Sequence, residues 1–105
     1  MYSKVFPAFG KLDVVLPHGF VDDSVLEHKM PTFHKVLPNG NILRLWVDFK
    51  DKAKSQYPNS PRFCISVYSP KFERLHDDIE IDEWAHVLIY LTGLEQYNTV
   101  HPTNR

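Results

Sequence analysis

Two stretches of strict alternation, Ile42 to Lys50 (ILRLWVDFK) and Arg62 to Ser69 (RFCISVYS), most narrow what this chain can fold into. Side chains of a strand point alternately to opposite faces, so Leu43, Leu45, Val47 and Phe49 share one side of the first stretch. Ile42, Arg44, Trp46, Asp48 and Lys50 share the other. In the second stretch Phe63, Ile65 and Val67 oppose Arg62, Cys64, Ser66 and Tyr68. Each segment has one apolar and one mixed face, the pattern of an antiparallel sheet covered on one side.

Pro38-Asn39-Gly40-Asn41 lies between Thr32–Leu37 and the first stretch, and asparagine-glycine between two strand-like runs is a strong hairpin signal. Lys11 to Leu16 offers a further short strand, and either Phe72–Leu75 or Ile79–Ile81 adds an edge. Ser24 followed by Glu27 matches a capping box and predicts a short helix around Val25–Lys29, stopped by Pro31, with Asp22 and Asp23 at its positive end. A second helix is expected from Glu83 to Thr92, capped by Asp82 and ended by Gly93. Trp84, Val87, Leu88 and Leu91 form its buried stripe, widened by Ala85, Ile89 and Leu94. Truncating Trp84 or Leu88 to alanine is expected to cost about 2–5 kcal/mol.

These elements specify an α+β fold: a small antiparallel sheet of three to five strands packed on one C-terminal helix, with a short N-terminal helix. The 105 residues suit a single domain, residues 1–10 forming an arm and 96–105 a flexible tail. The arm and short helix carry Val5, Phe6, Phe9, Phe20, Val25 and Leu26, apolar groups whose expected place is over the Trp46 face of the sheet. Otherwise that face is open to a partner or a second copy.

Composition narrows function by exclusion. A formal charge of -1 leaves no general drive toward nucleic acid. The lysine-rich loop (Lys50, Lys52, Lys54, with Tyr57) offers at most weak local phosphate binding. The single cysteine, Cys64, excludes an internal disulfide and CxxC motifs, which fits the cytoplasm, and no leader or membrane span is visible. Mid-strand, Cys64 reads as a structural thiol. Six histidines show neither i, i+4 pairs nor HExxH, so no metal or other cofactor is expected. No phosphate loop or nucleophile elbow is present.

The function expected is non-enzymatic recognition of another protein, of the inhibitor or immunity type found in bacteria and phage. Trp46, Tyr68 and Arg44 are the residue types enriched at interface hot spots, and Asp77, Asp78 and Glu80 form an acidic run suited to a basic partner. A ligand-binding or enzymatic cleft built from His28, His34 and Asp48 with Arg44 is the alternative from another class.

Overall fold

The computed structural model describes residues 1–55 and 59–100, the last two by backbone only. The strands are β1 (Val21–Asp22), β2 (Thr32–Val36), β3 (Ile42–Val47), β4 (Phe63–Tyr68) and β5 (Ile79–Ile81). They form one antiparallel meander in chain order. One helical turn, α1 (Tyr2–Val5), opens the chain, and a long helix, α2 (Trp84–Val100), follows the sheet. The fold is α+β, as the alternation implied.

At the β2–β3 hairpin the Leu37 N–H donates to the Asn41 carbonyl and the Gly40 N–H to that of Leu37, both at 2.8 Å. Gly40 has φ +90, and a Cβ there would stand 3.1 Å from Pro70, so two separate constraints favour glycine. The register then sets apolar rows across one face: Phe33–Leu45–Ile65–Ile79, Leu43–Val67 and Val47–Phe63–Ile81. Val87 and Leu91 of α2 complete this core, with Trp84 and Leu94 partly buried beside them.

The arm takes a different side from the one expected. Phe9 packs edge-on to Tyr2 and Phe49, Phe6 also meets Phe49, and Tyr2 meets Phe33. Leu12, Val14 and Leu16 join the same core. The arm thus shares the apolar face with α2, because Phe33 and Phe49 offer it hydrocarbon that the mixed face lacks. Lys11–Leu16 alternates in burial but belongs to no strand; the edges are β1 and β5. Of the two proposed edge segments, Ile79–Ile81 is the strand, and Arg74 makes only a single bridge to Tyr68.

The helix expected at Val25–Lys29 is one 3-10 turn, Leu26–His28, without a side-chain cap. Ser24 is used elsewhere: its hydroxyl accepts from the Thr32 N–H at 3.0 Å and donates to the Thr32 carbonyl at 3.3 Å. Asp22 accepts from the N–H groups of Tyr2 and Ser24 instead of facing a helix dipole.

Two expectations for α2 also need correction. Gly93 does not end it, and residues 96–100 are helical where a tail was expected; 101–105 lie outside the described residues. The continuation has tertiary support. Asn98 Oδ1 accepts from Asn41 Nδ2 at 2.7 Å and Asn39 Nδ2 at 3.0 Å, while Glu95 pairs with Lys35 at 2.6 Å. These contacts tie the last turns to the hairpin and outweigh about 1 kcal/mol of glycine propensity. The buried stripe is also narrower: Leu88 is 39% and Ile89 68% exposed. The side of α2 that packs on the sheet is Trp84–Val87–Leu91–Leu94–Asn98.

Candidate functional site

The second face of the sheet carries three cross-strand rows: Val36–Ile42–Tyr68, His34–Arg44–Ser66 and Thr32–Trp46–Cys64–Glu80. Arm and α2 both lie on the other side; residues 23–30 fold back over the β1–β2 end of these rows and Arg74 and Asp78 cover part of the other, so Thr32, Ile42 and Ser66 are buried and Arg44, Trp46, Cys64 and Tyr68 stay partly exposed between them. From the fold-back the His28 ring packs on Trp46, tilted by 57° with ring centroids 5.0 Å apart.

Asp23 organises that end. Its Oδ2 accepts from Arg44 Nη2 at 2.9 Å and meets His34 Nδ1 at 3.1 Å, and its Oδ1 accepts from the Thr32 hydroxyl at 2.8 Å. His28 Nδ1 lies 2.9 Å from the same hydroxyl. A hydroxyl has one proton; with that proton given to Asp23, His28 must donate from Nδ1. Burial, followed by the nearby Arg44 charge, holds the His28 pKa below its ordinary value, which favours the neutral Nδ1–H tautomer. Arg44 Nε is buried without a hydrogen-bond partner among the described residues.

Asp78 organises the opposite end. The Trp46 Nε1–H donates to Ser66 Oγ at 3.0 Å, Ser66 donates to Asp78 at 2.8 Å, and Arg74 Nε reaches Asp78 at 3.3 Å. The guanidiniums of Arg44 and Arg74 lie 5.6 and 5.8 Å from the Tyr68 ring centroid. Tyr68 is thereby held between two cations. The hydrogen bond that Arg74 donates to Tyr68, then the charge of Asp78, raises the Arg74 pKa further.

Beside Trp46 is a cleft of about 260 Å³, lined among others by Met30, Cys64, Arg74, Asp78 and Glu80. Arg74 is paired with Asp78, and Arg62 at the far wall is held by both guanidinium nitrogens to Asp13. Glu80 makes no ion pair among the described residues. Burial, then Asp78 and Glu80, pushes the Cys64 thiol up to about 12, so it is neutral and unreactive at ordinary pH.

Of the residues singled out from sequence, Trp46, Tyr68, Arg44, Asp78 and Glu80 come together on this face. Asp77 is exposed and lines no part of the cleft. His34 lies on the face in the row of Arg44 and pairs there with Asp23, and His28 reaches it from the fold-back through Thr32 and Trp46. Asp48 does not: β3 ends at Val47, and the Asp48 carboxylate is buried, accepting from the Phe49 N–H at 2.8 Å and the Ser55 hydroxyl at 2.5 Å. The proposed His28, His34, Asp48 cleft therefore does not form. In the lysine-rich loop, Lys52 is tied to the Ser60 carbonyl at 2.7 Å, and Tyr57 lies outside the described residues.

Sequence reasoning missed Asp23, Ser66 and Arg74 as members of the site. Counting register would have placed Ser66 opposite Arg44, whereas Asp23 depends on the fold-back of residues 23–30, which no local pattern announces. Among the described residues no group of three or more histidine, cysteine or acidic side chains is placed to hold a metal ion. None of their helices is long and apolar enough to cross a membrane. Comparison with protein-family models, curated proteins and solved structures finds no match.

Proposed function

We propose that the chain is a non-enzymatic protein-binding module, of inhibitor or immunity type, that takes a basic segment of its partner on the open face of the sheet. The observation that carries this reading is the Trp46–Cys64–Glu80 row, which puts an aromatic plane, a neutral thiol and an unpaired carboxylate around one cleft. A lysine or arginine side chain from the partner meets there both a ring face and a counter-charge. At about 260 Å³ the cleft is smaller than the ~300–1,000 Å³ usual for small-molecule sites and suits one long side chain. Trp46 and Tyr68 are held in place by Ser66 and the flanking arginines, so little ordering is left to the binding step. Asp23, Asp78 and Glu80 on the same face disfavour a nucleic-acid backbone. One unpaired cysteine with a neutral thiol suits recognition in the cytoplasm.

The test is affinity capture from the native host with the wild-type chain, Trp46→Ala, Glu80→Lys and a control on the arm, Lys11→Ala, each checked for fold by circular dichroism. A basic partner held by wild type and control but lost by both site variants supports the reading. Retention by Trp46→Ala and Glu80→Lys, or no partner at all, removes it.

A further inference from the structure

The sheet ends in two edges, and they differ. At β1 the arm is tied to the edge: the Tyr2 N–H donates to one Asp22 carboxylate oxygen at 2.7 Å, and the Met1 ammonium stands 4.0 Å from the other. At β5 the direction of the backbone groups follows from the neighbouring ladder. The N–H and C=O of a strand residue point to the same side and alternate along the strand. Along β4 and its ends, Ser69 donates its N–H to the Glu73 carbonyl at 2.8 Å and Val67 accepts from the Leu75 N–H at 3.0 Å, whereas Arg62 accepts from the Asp48 N–H at 2.8 Å on the opposite side. Odd-numbered residues of β4 thus serve the β5 side, and even-numbered ones the β3 side. Ile65–Ile79 and Phe63–Ile81 are then the pairs that exchange backbone bonds, and Cys64–Glu80 is not. The Glu80 N–H and C=O therefore point away from β4, and neither has a partner among the described residues. Glu80 is also exposed.

We infer that this edge takes an extended segment of the partner protein as a sixth strand, with a lysine or arginine of that segment set opposite Glu80 between two aliphatic residues. This rests on the reading above, in which the partner presents a basic segment. A residue added opposite Glu80 exchanges both backbone bonds with it and carries its side chain on the same face, continuing the row Thr32–Trp46–Cys64–Glu80. A basic side chain there lies against the Glu80 carboxylate at the mouth of the cleft. The residues before and after it turn to the core side, beside Ile79 and Ile81, which favours aliphatic groups. A second copy does not fit this edge. Antiparallel self-pairing sets Glu80 against an outward-directed residue of the other copy, and Asp78, Glu80 and Asp82 are all acidic. Like charges directly opposite one another are destabilising. The charges that guard the exposed edge against its own kind thus select a basic strand. In such additions the backbone bonds give affinity, and alternate side chains give specificity.

Heteronuclear NMR of the full chain with millimolar peptide tests this. The probe is a capped peptide with one arginine between two valines, flanked by threonines; its variants carry glutamate for arginine, an N-methyl group on the arginine nitrogen, or one on the following valine. The parent peptide is expected to shift the Glu80 amide proton downfield and slow its exchange, and the glutamate peptide to leave it unmoved. Methylating the arginine nitrogen removes the donor to the Glu80 carbonyl and should weaken binding about tenfold or more. The valine N–H points to solvent, so its methylation should change little. Glu80→Lys should reverse the preference between the arginine and glutamate peptides. An unmoved Glu80 amide, or equal losses from the two methylations, would overturn the assignment. Binding that survives arginine methylation and is lost in Trp46→Ala overturns strand addition and leaves the cleft as the receptor. Binding at Glu80 that is undiminished in Trp46→Ala supports strand addition and removes the cleft.

Discussion

The Trp46 indole donates its Nε1–H to Ser66 Oγ at 3.0 Å across the β3–β4 ladder, and Ser66 has no accessible surface. An aromatic side chain on an open sheet face is thereby fixed by a hydroxyl that passes its own proton to Asp78 at 2.8 Å. A sheet face held this way presents an aromatic surface whose orientation is set by the fold.

Ser66→Ala is expected to release Trp46. The indole N–H and one Asp78 oxygen lose their partners in a half-buried setting, which costs about 1–3 kcal/mol in urea unfolding. The indole ¹H–¹⁵N signal of Trp46 should move while that of Trp84, which packs on Phe63 at 5.2 Å, stays in place. Equal shifts in both would mean a general loosening of the fold rather than a local release.

On α2 the two leucines three positions apart should behave differently. Leu91 is 1% exposed and part of the core, so Leu91→Ala is expected to cost about 2–5 kcal/mol. Leu88 is 39% exposed, and Leu88→Ala should cost less than about 1 kcal/mol. Urea unfolding measures both, and similar losses would put Leu88 in the core after all.

Asn98→Ala is expected to uncouple the end of α2 from the β2–β3 hairpin, since Asn98 Oδ1 is shared by the amides of Asn39 and Asn41. Asn98 is buried, and the loss should be about 1–3 kcal/mol. Hydrogen exchange gives the local readout: the Leu37 and Gly40 amides, which close the hairpin loop, should exchange faster than those in the middle of β3.

How much of this was legible in the sequence follows from the range of the forces involved. Period-two alternation fixed β3 and β4 and their apolar faces, because a register slip would invert every side chain. The Asn-Gly turn located the hairpin. The arm lies on the face opposite to the expected one because apolar content says that Phe6 and Phe9 need cover, not which hydrocarbon supplies it; the rings of Phe49 and Phe33 do so. Gly93 misled for a related reason: a local helix stop was overruled by Asn98 and Glu95, whose partners lie about sixty residues away in the chain. Trp46, Tyr68, Arg44, Asp78 and Glu80 were found because strand parity and β5 gather them on one face, while Asp23 required tertiary structure.

Acid should act on the fold at two separate points. The His28 pKa lies below 6.5 through burial first and the Arg44 charge second, so the unfolded chain takes up the proton before the native state does. Stability is therefore full above the unfolded value, declines as pH falls below it, and levels off once the folded value is passed. The Asp13 pKa lies below 3.8 chiefly through its hydrogen bond from Arg62; that contribution is present above 3.8 and disappears as pH falls through the folded value. Melting curves from about pH 7.5 to about pH 2.5 should show a smaller drop in their upper part for His28→Gln than for wild type, while Arg62→Gln should lower the stability above pH 3.8 and flatten the loss below it. An unchanged drop in His28→Gln would assign the first transition to another group.

Cys64 should be chemically silent in the folded chain. Its thiol is pushed up to about 12, by burial first and then by Asp78 and Glu80, and alkylation requires the thiolate. Labelling by iodoacetamide near neutral pH is therefore expected to be orders of magnitude slower than in urea, where the pKa returns to about 8.5. Asp78→Asn and Glu80→Gln each remove a negative neighbour and should lower the folded pKa, raising the labelling rate without exposing the side chain. The pH dependence separates the two causes: a rate that rises in these variants only through faster global opening would track their urea stability, whereas an electrostatic effect shifts the rate profile to lower pH at unchanged stability. Rapid labelling of the wild-type chain at neutral pH would contradict the half-buried, anion-flanked setting assigned to Cys64, and with it the neutral floor of the cleft beside Trp46.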